Sequence, residues 1–193
     1  MNSLMKTIFF FLLLSYCQIV FSQKFTDYHN NGKIEAEGTM VDGKMHGKAT
    51  FYDEFGRLLN TLNYEHGVIH GIAYGYYTSG ELHWQSMYNN GIKVGIEIYF
   101  YESGAVQQIL NYNEKGVSSG PSIQYFENGI LATIDFYVNG NKCGVTEGYY
   151  IDGKLRYKGQ YNEKGKIEGE FKKYNEKGDL IEVMLFSNGE LIK

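Results

Sequence analysis

The sequence predicts an all-β protein: an elongated, single-sheet antiparallel β-meander built from about seven hairpin repeats of 24–25 residues. Three observations carry that prediction. One phrase keeps returning, as "GYYTSGEL" at residues 75–82, "YFYESGAV" from Tyr99, "QYFENGIL" from Gln124 and "GYYIDGKL" from Gly148. Glycine falls into three columns that hold 20 of the 24 glycines. Aromatic residues recur at half the glycine period, which is the spacing of two strands per unit.

The chain opens on a stretch unlike the rest. "MNSLMKTIFFFLLLSYCQIVFSQ" has Lys6, an apolar run from Ile8 to Leu14, and a more polar exit. This is the layout of a secretory signal peptide, too short and wrongly flanked for a membrane span. Residues 1–22 are read as the leader, cleaved after Ser22, and residues 23–193 as the repeat domain. Lipidation of Cys17 is one rival reading, and it would want a small residue where Tyr16 stands; an uncleaved anchor is the second. Residues 1–22 carry Lys6 as their one charged side chain, so a net charge of −4 becomes −5 on cleavage. The mature chain is therefore expected in the periplasm or outside the cell. Its acidic balance lacks the basic footprint that nucleic acid or anionic lipid requires. With Cys17 gone, Cys143 is alone and no internal disulfide can form.

From Lys24 onward the units begin at Lys24, Lys48, Ile72, Ile96, Pro121, Val145 and Glu170. The first glycine column runs from Gly32 to Gly178, the second from Gly43 to Gly189, and the third closes the first six units from Gly47 to Gly169. Tyr28, Tyr52, Tyr76, Phe100, Tyr125, Tyr149 and Tyr174 each precede the first glycine by four residues. Tyr64, Tyr88, Tyr112, Tyr137, Tyr161 and Phe186 precede the second, and Met40 breaks that column. An aliphatic residue follows the first glycine by two, as at Leu58, Leu82 and Leu131. Runs rich in Tyr, Phe, Ile and Val between Asn/Asp/Glu-x-Gly turns read as strands joined by tight loops. A three-residue loop ending in a left-handed glycine fits "ENG" at 127–129 and "VNG" at 138–140. Tyr125 should then face Leu131, and strand parity should return Tyr137 to the same side. The aromatics are read as the stacked spine of a one-dimensional fold, about fourteen strands and roughly 60 Å long.

At these residues the chain resembles a known family. "EGTMVDGKMHGKAT" (Glu37–Thr50) and "YKGQYNEKGKIEG" (Tyr157–Gly169) look like MORN repeats. "YYTSGEL", "YFENGIL" and "YYIDGKL" are similar to the bacterial MORN variant, often labelled a YwqK-type antitoxin family. The resemblance implies a long, twisted antiparallel sheet that serves as a scaffold for protein or lipid contacts. It also implies an antitoxin-like role, which for an exported chain would mean immunity to a secreted toxin.

No catalytic pattern stands out, and the chain is read as non-enzymatic without a cofactor or metal. His46 and His70 share a position in adjacent units, but two strand spacings, roughly 9–10 Å, lie between their backbones. Zinc wants three or four ligands about 2.0–2.1 Å from the metal. Glu54, Glu102, Glu127 and Glu176 are repeated turn residues. "NEKG" at 113, 162 and 175 is too short for a phosphate loop. The alternate strand positions are mostly polar, as Arg156, Lys158 and Gln160 show. Two units depart from this, with Ala132, Ile134 and Phe136 in one and Ile181, Val183 and Leu185 in the other. Ile134, Phe136, Ile181, Val183 and Leu185 are therefore the candidate partner-binding residues, for another protein or a second copy. The alternative function is an envelope glycan-binding module using the tyrosine ladder, although the chain has only Trp84 where such repeats usually carry many tryptophans.

Overall fold

A computed structural model describes residues 21–193. The expected leader lies outside the described residues except for Phe21 and Ser22, where the first strand begins. Seventeen strands form one sheet, and every neighbouring pair is antiparallel. In chain order they are β1 (Ser22–Tyr28), β2 (Ile34–Val41), β3 (Lys44–Met45), β4 (Gly47–Tyr52), β5 (Leu58–Glu65) and β6 (Val68–Ile69). Then follow β7 (Gly71–Tyr76), β8 (Leu82–Asn89), β9 (Ile92–Phe100), β10 (Val106–Tyr112), β11 (Gly120–Tyr125) and β12 (Leu131–Val138). The last are β13 (Asn141–Tyr149), β14 (Leu155–Tyr161), β15 (Gly169–Tyr174), β16 (Leu180–Ser187) and β17 (Glu190–Leu191). Pairing runs straight along the chain, so the fold is the expected meander. β3 and β6 are the leading ends of strands interrupted at His46 and His70.

The first loop of each unit closes as its residues dictate. Phe126 N–H donates to Ile130 O and Gly129 N–H to Phe126 O, each at 2.8 Å, with Gly129 at φ 82°. The Asn128 carboxamide oxygen accepts from Ile130 N–H at 3.1 Å. The second loop differs from the expectation for "VNG". Val138 pairs with Asn141, so only Asn139 (φ 49°) and Gly140 (φ 83°) turn the chain, a two-residue type I′ loop. The three-residue form survives in the second loop at Asn113–Val117 and Asn162–Lys166. Those loops belong to the two 25-residue units, so the extra residue sits in the turn.

Side chains just after the first aromatic column tie each unit to the next. Tyr77 OH donates to Phe100 O at 2.7 Å, Tyr101 OH to Tyr125 O at 2.8 Å and Tyr150 OH to Tyr174 O at 2.8 Å. Each bond spans one period and gives the nearest-neighbour contacts of a repeat array a directional component.

The two aromatic columns do not share a face, contrary to the parity argument. Tyr125 does sit opposite Leu131, but Gln124 sits opposite Thr133, so Ala132 is the extra residue of a bulge. Leu131 thus follows Tyr125 to one side, while Thr133, Asp135 and Tyr137 follow Gln124 to the other. The same register shift occurs beside Tyr28, Tyr52, Tyr76, Tyr149 and Tyr174. We call the side bearing Tyr64, Tyr88, Tyr112, Tyr137, Tyr161 and Phe186 the first face. The side bearing Tyr52, Tyr76, Phe100, Tyr125, Tyr149 and Tyr174 is the second.

The first face holds the buried row. Ala49, Ala73, Ser86, Glu97, Ser122 and Thr146 occupy equivalent or facing positions along it and are all buried. The four glycines outside the three columns, Gly38, Gly75, Gly148 and Gly159, have ordinary φ and lie beneath aromatic rings of the neighbouring strand. All twenty column glycines have positive φ. Gly144, at φ 67° with open space around an added Cβ, illustrates the second class. Gly144→Ala is expected to cost about 1 kcal/mol from left-handed strain alone, read as a small shift of the urea midpoint with an unchanged slope.

Candidate interaction face

Strand alternation assembles an apolar area on the second face that no other described residue covers. Ile98 pairs with Ile109, Ile109 with Ile123 and Ile123 with Ile134, giving four isoleucines in one row across β9–β12. Three spacings make that row roughly 14 Å long. All four are half-buried. Two residues along the strands a second row adds Met87, Ile96, Pro121, Phe136 and Val145, interrupted between Ile96 and Pro121 by Asn111, which donates to Pro121 O at 2.7 Å. Ile96 is 53% exposed and Phe136 39%. Phe100, Val106, Tyr125 and Leu131 border the isoleucine row on its other side.

This arrangement joins some of the sequence-predicted contact residues and separates others. Ile134 and Phe136 belong to the central area. Val183 and Leu185 lie on the same face but across β13–β15, beyond Glu147, Lys158 and Lys172. Glu147 and Lys158 are ion-paired at 2.9 Å, and the Tyr149 hydroxyl donates to Glu147 at 2.6 Å. Those two bonds, that from Lys158 first, hold the Glu147 carboxyl below its usual range, and the Tyr149 hydroxyl is pushed up to about 12 by its bond to Glu147. Ile181 is the extra residue of the β15–β16 bulge and lines a first-face hollow with Tyr157 and Phe171. Leu185 is bonded by the chain's own end, its N–H donating to Lys193 O at 2.7 Å.

The sequence reading missed two charged clusters on the first face. In one, Ser86 Oγ donates to Glu97 Oε1 at 2.6 Å and Tyr112 OH to Glu97 Oε2 at 2.9 Å. Lys93 Nζ also bonds Glu97 Oε1 and lies 5.4 Å from the Tyr112 ring centre. The Glu97 side chain is 2% exposed. Burial pushes its carboxyl up, but the bonds from Lys93, Ser86 and Tyr112 outweigh that, and its pKa ends below the ordinary value. In the other cluster, two units on, Thr146 Oγ1 donates to Asp135, Lys142 Nζ bonds Asp135 at 2.7 Å, and Lys142 lies 4.7 Å from the Tyr161 ring centre. Carboxylate and hydroxyl have exchanged strands: Ser86 faces Glu97 in the first, Asp135 and Thr146 are partners in the second. Aligning the units would have shown the signal, because Glu97, Ser122 and Thr146 share a column with Ala49 and Ala73.

The histidines give no ligand set. His46 and His66 have ring centres 5.7 Å apart, His70 is 3.7 Å from Glu65, and no group of three or more ligating side chains occurs among the described residues. Cys143 is a half-buried free thiol.

A single open antiparallel sheet of chained hairpins, with regularly spaced left-handed glycines in its turns and strands, defines a β-repeat scaffold. The chain belongs to the MORN repeat variant family, whose model matches residues 24–42, 45–66, 93–114, 119–139 and 142–163. No curated protein matches it. Among solved structures, a crystal structure described as TcdB2-TccC3-TEV aligns at 14% identity over 86% of this chain, with a TM-score of 0.27. This chain spans 11% of the length of that one.

Proposed function

We propose that this protein is an exported, non-catalytic repeat scaffold that binds another protein across the isoleucine area of its second face. The observation that supports the reading is the unbroken Ile98–Ile109–Ile123–Ile134 row with Ile96 and Phe136 beside it. Continued across the sheet, the same row carries Gln85, Tyr74, Thr61 and Thr50 to one side and Glu147, Lys158 and Lys172, then Val183, to the other. An apolar centre within a polar surround is the anatomy of a protein-binding patch. A secreted toxin-like polypeptide is the partner class that the antitoxin resemblance favours.

The test is affinity capture from the native envelope fraction with tagged residues 23–193, read by mass spectrometry. The wild type should retain one stoichiometric polypeptide. Phe136→Lys and Ile96→Lys, checked for an unchanged circular dichroism spectrum, should reduce its yield by at least about tenfold. Val183→Lys, remote from the isoleucine row, should leave the yield intact. Equal retention by all four proteins would remove the proposal.

A further inference from the structure

The first face carries a hollow of about 330 Å³ between β9 and β12, within the roughly 300–1,000 Å³ range of small-ligand sites. Tyr99, Tyr101 and Phe126 wall it, and Gln107, Gln108 and Gln124 supply side-chain amides. Alone among the five principal hollows of the described residues, it is lined by no acidic or basic side chain. Gln108 and Gln124 are directly paired across β10 and β11, so their amides lie side by side. Thr133 Oγ1 donates to Gln124 Oε1 at 3.3 Å, and the Tyr101 ring is pinned by its bond to Tyr125 O at 2.8 Å. Both a wall and the floor are therefore held in place before any ligand arrives.

We propose that this hollow binds a neutral oligosaccharide. An amide presents donors and an acceptor in one plane, the set that a pair of adjacent sugar hydroxyls needs, while tyrosine faces accept the ring's C–H surface. A charged ligand would have no counter-charge here and would lose hydration without compensation. An extended peptide could not add as a strand, because the backbone of β10 and β11 is already engaged in the sheet. This site lies on the face opposite the isoleucine row, so it is independent of the protein-binding proposal and either can fail alone.

Trp84 stands directly across from Tyr99 and is the chain's one tryptophan, so its fluorescence reports on the hollow. The full chain is titrated with maltotriose, cellotriose and tri-N-acetylchitotriose, with a neutral Gly-Ser hexapeptide as the contrasting probe. At least one trisaccharide should give a saturable change with a Kd near or below about 1 mM. Gln108→Met and Gln124→Met, which keep volume and remove the amide, should each weaken it about tenfold, with circular dichroism unchanged. Phe136→Lys should bind the sugar as the wild type does. No saturable change with any trisaccharide up to about 10 mM overturns the assignment. Undiminished binding in both glutamine variants does so too, and so does saturable binding of the hexapeptide in place of the sugars.

Discussion

Lys93→Met should lower the free energy of unfolding at pH 7 by about 3 kcal/mol, because it leaves the buried Glu97 carboxylate without its cation. Ser86 and Tyr112 would still donate to Glu97, which keeps the loss at the lower end for a broken buried pair. Urea titration followed by Trp84 fluorescence reads the change, since Trp84 shares β8 with Ser86. The pH dependence gives the sharper test. In the wild type the Glu97 pKa is lowered on folding, so its contribution is present above the unfolded value, about 4.3, and is lost as pH falls through the folded one. Without Lys93 the desolvation of Glu97 is opposed only by Ser86 and Tyr112, so its pKa rises. The variant's defect should begin to shrink as pH falls through that raised value and go on shrinking as the wild type loses its own contribution. Lys93→Met combined with Glu97→Met should recover most of the loss, since an apolar pair of similar volume replaces the ionic one. A single variant as stable as the wild type at pH 7 would mean that Glu97 finds solvent, contrary to its 2% exposure.

Gly159→Ala is expected to cost about 2–3 kcal/mol although its φ is unremarkable. An added Cβ would lie 2.4 Å from Cδ2 and 3.3 Å from Cγ of Phe171, close to the root of that side chain. Phe171 cannot swing away freely: Tyr157 stacks on it at 5.6 Å and Phe186 abuts its edge at 6.5 Å. The loss should appear as a lower urea midpoint, about two to three times the effect of Gly144→Ala. Equal effects of the two substitutions would show that backbone strain, rather than ring contact, governs both.

The contrast between these glycines marks where the sequence could be read and where it could not. Column glycines such as Gly129 and Gly140 announce turns because only local chemistry is involved, and the pairing of Tyr125 with Leu131 follows from loop length. The sidedness of the strands is less accessible. One bulge residue per hairpin, Ala132 or Ile181 for instance, inverts the parity of everything beyond it, and nothing in a three-residue loop declares that bulge. Ile134 and Phe136 were visible as breaks in a polar pattern. Ile98, Ile109 and Ile123 were not, because their significance lies in adjacency across strands far apart in the chain. Glu97 was hidden for a related reason. A glutamate in a strand reads as solvent-facing until Lys93 is brought to it past the left-handed Gly95 (φ 68°) and Tyr112 across the β9–β10 pairing. Gly38, Gly75, Gly148 and Gly159 were legible as exceptions to the columns, and their common environment beneath aromatic rings needed coordinates to see.

The exchange of carboxylate and hydroxyl between the two first-face clusters makes a unit-shifted pairing chemically different from the native one. An array of near-identical hairpins can misalign by whole units, and a slipped strand would still find tyrosines, glycines and turns where it expects them. A slip of two units would set Asp135 against Glu97, two carboxylates in one buried place. It would also set Ser86 against Thr146, leaving a lysine with no anion. Neither combination satisfies its members, whereas the native pairings satisfy all four. The repeats are thus alike enough to stack and labelled differently enough to be counted. A chain rebuilt with both clusters in the same orientation should lose that numbering and populate unit-shifted or strand-exchanged assemblies at high concentration.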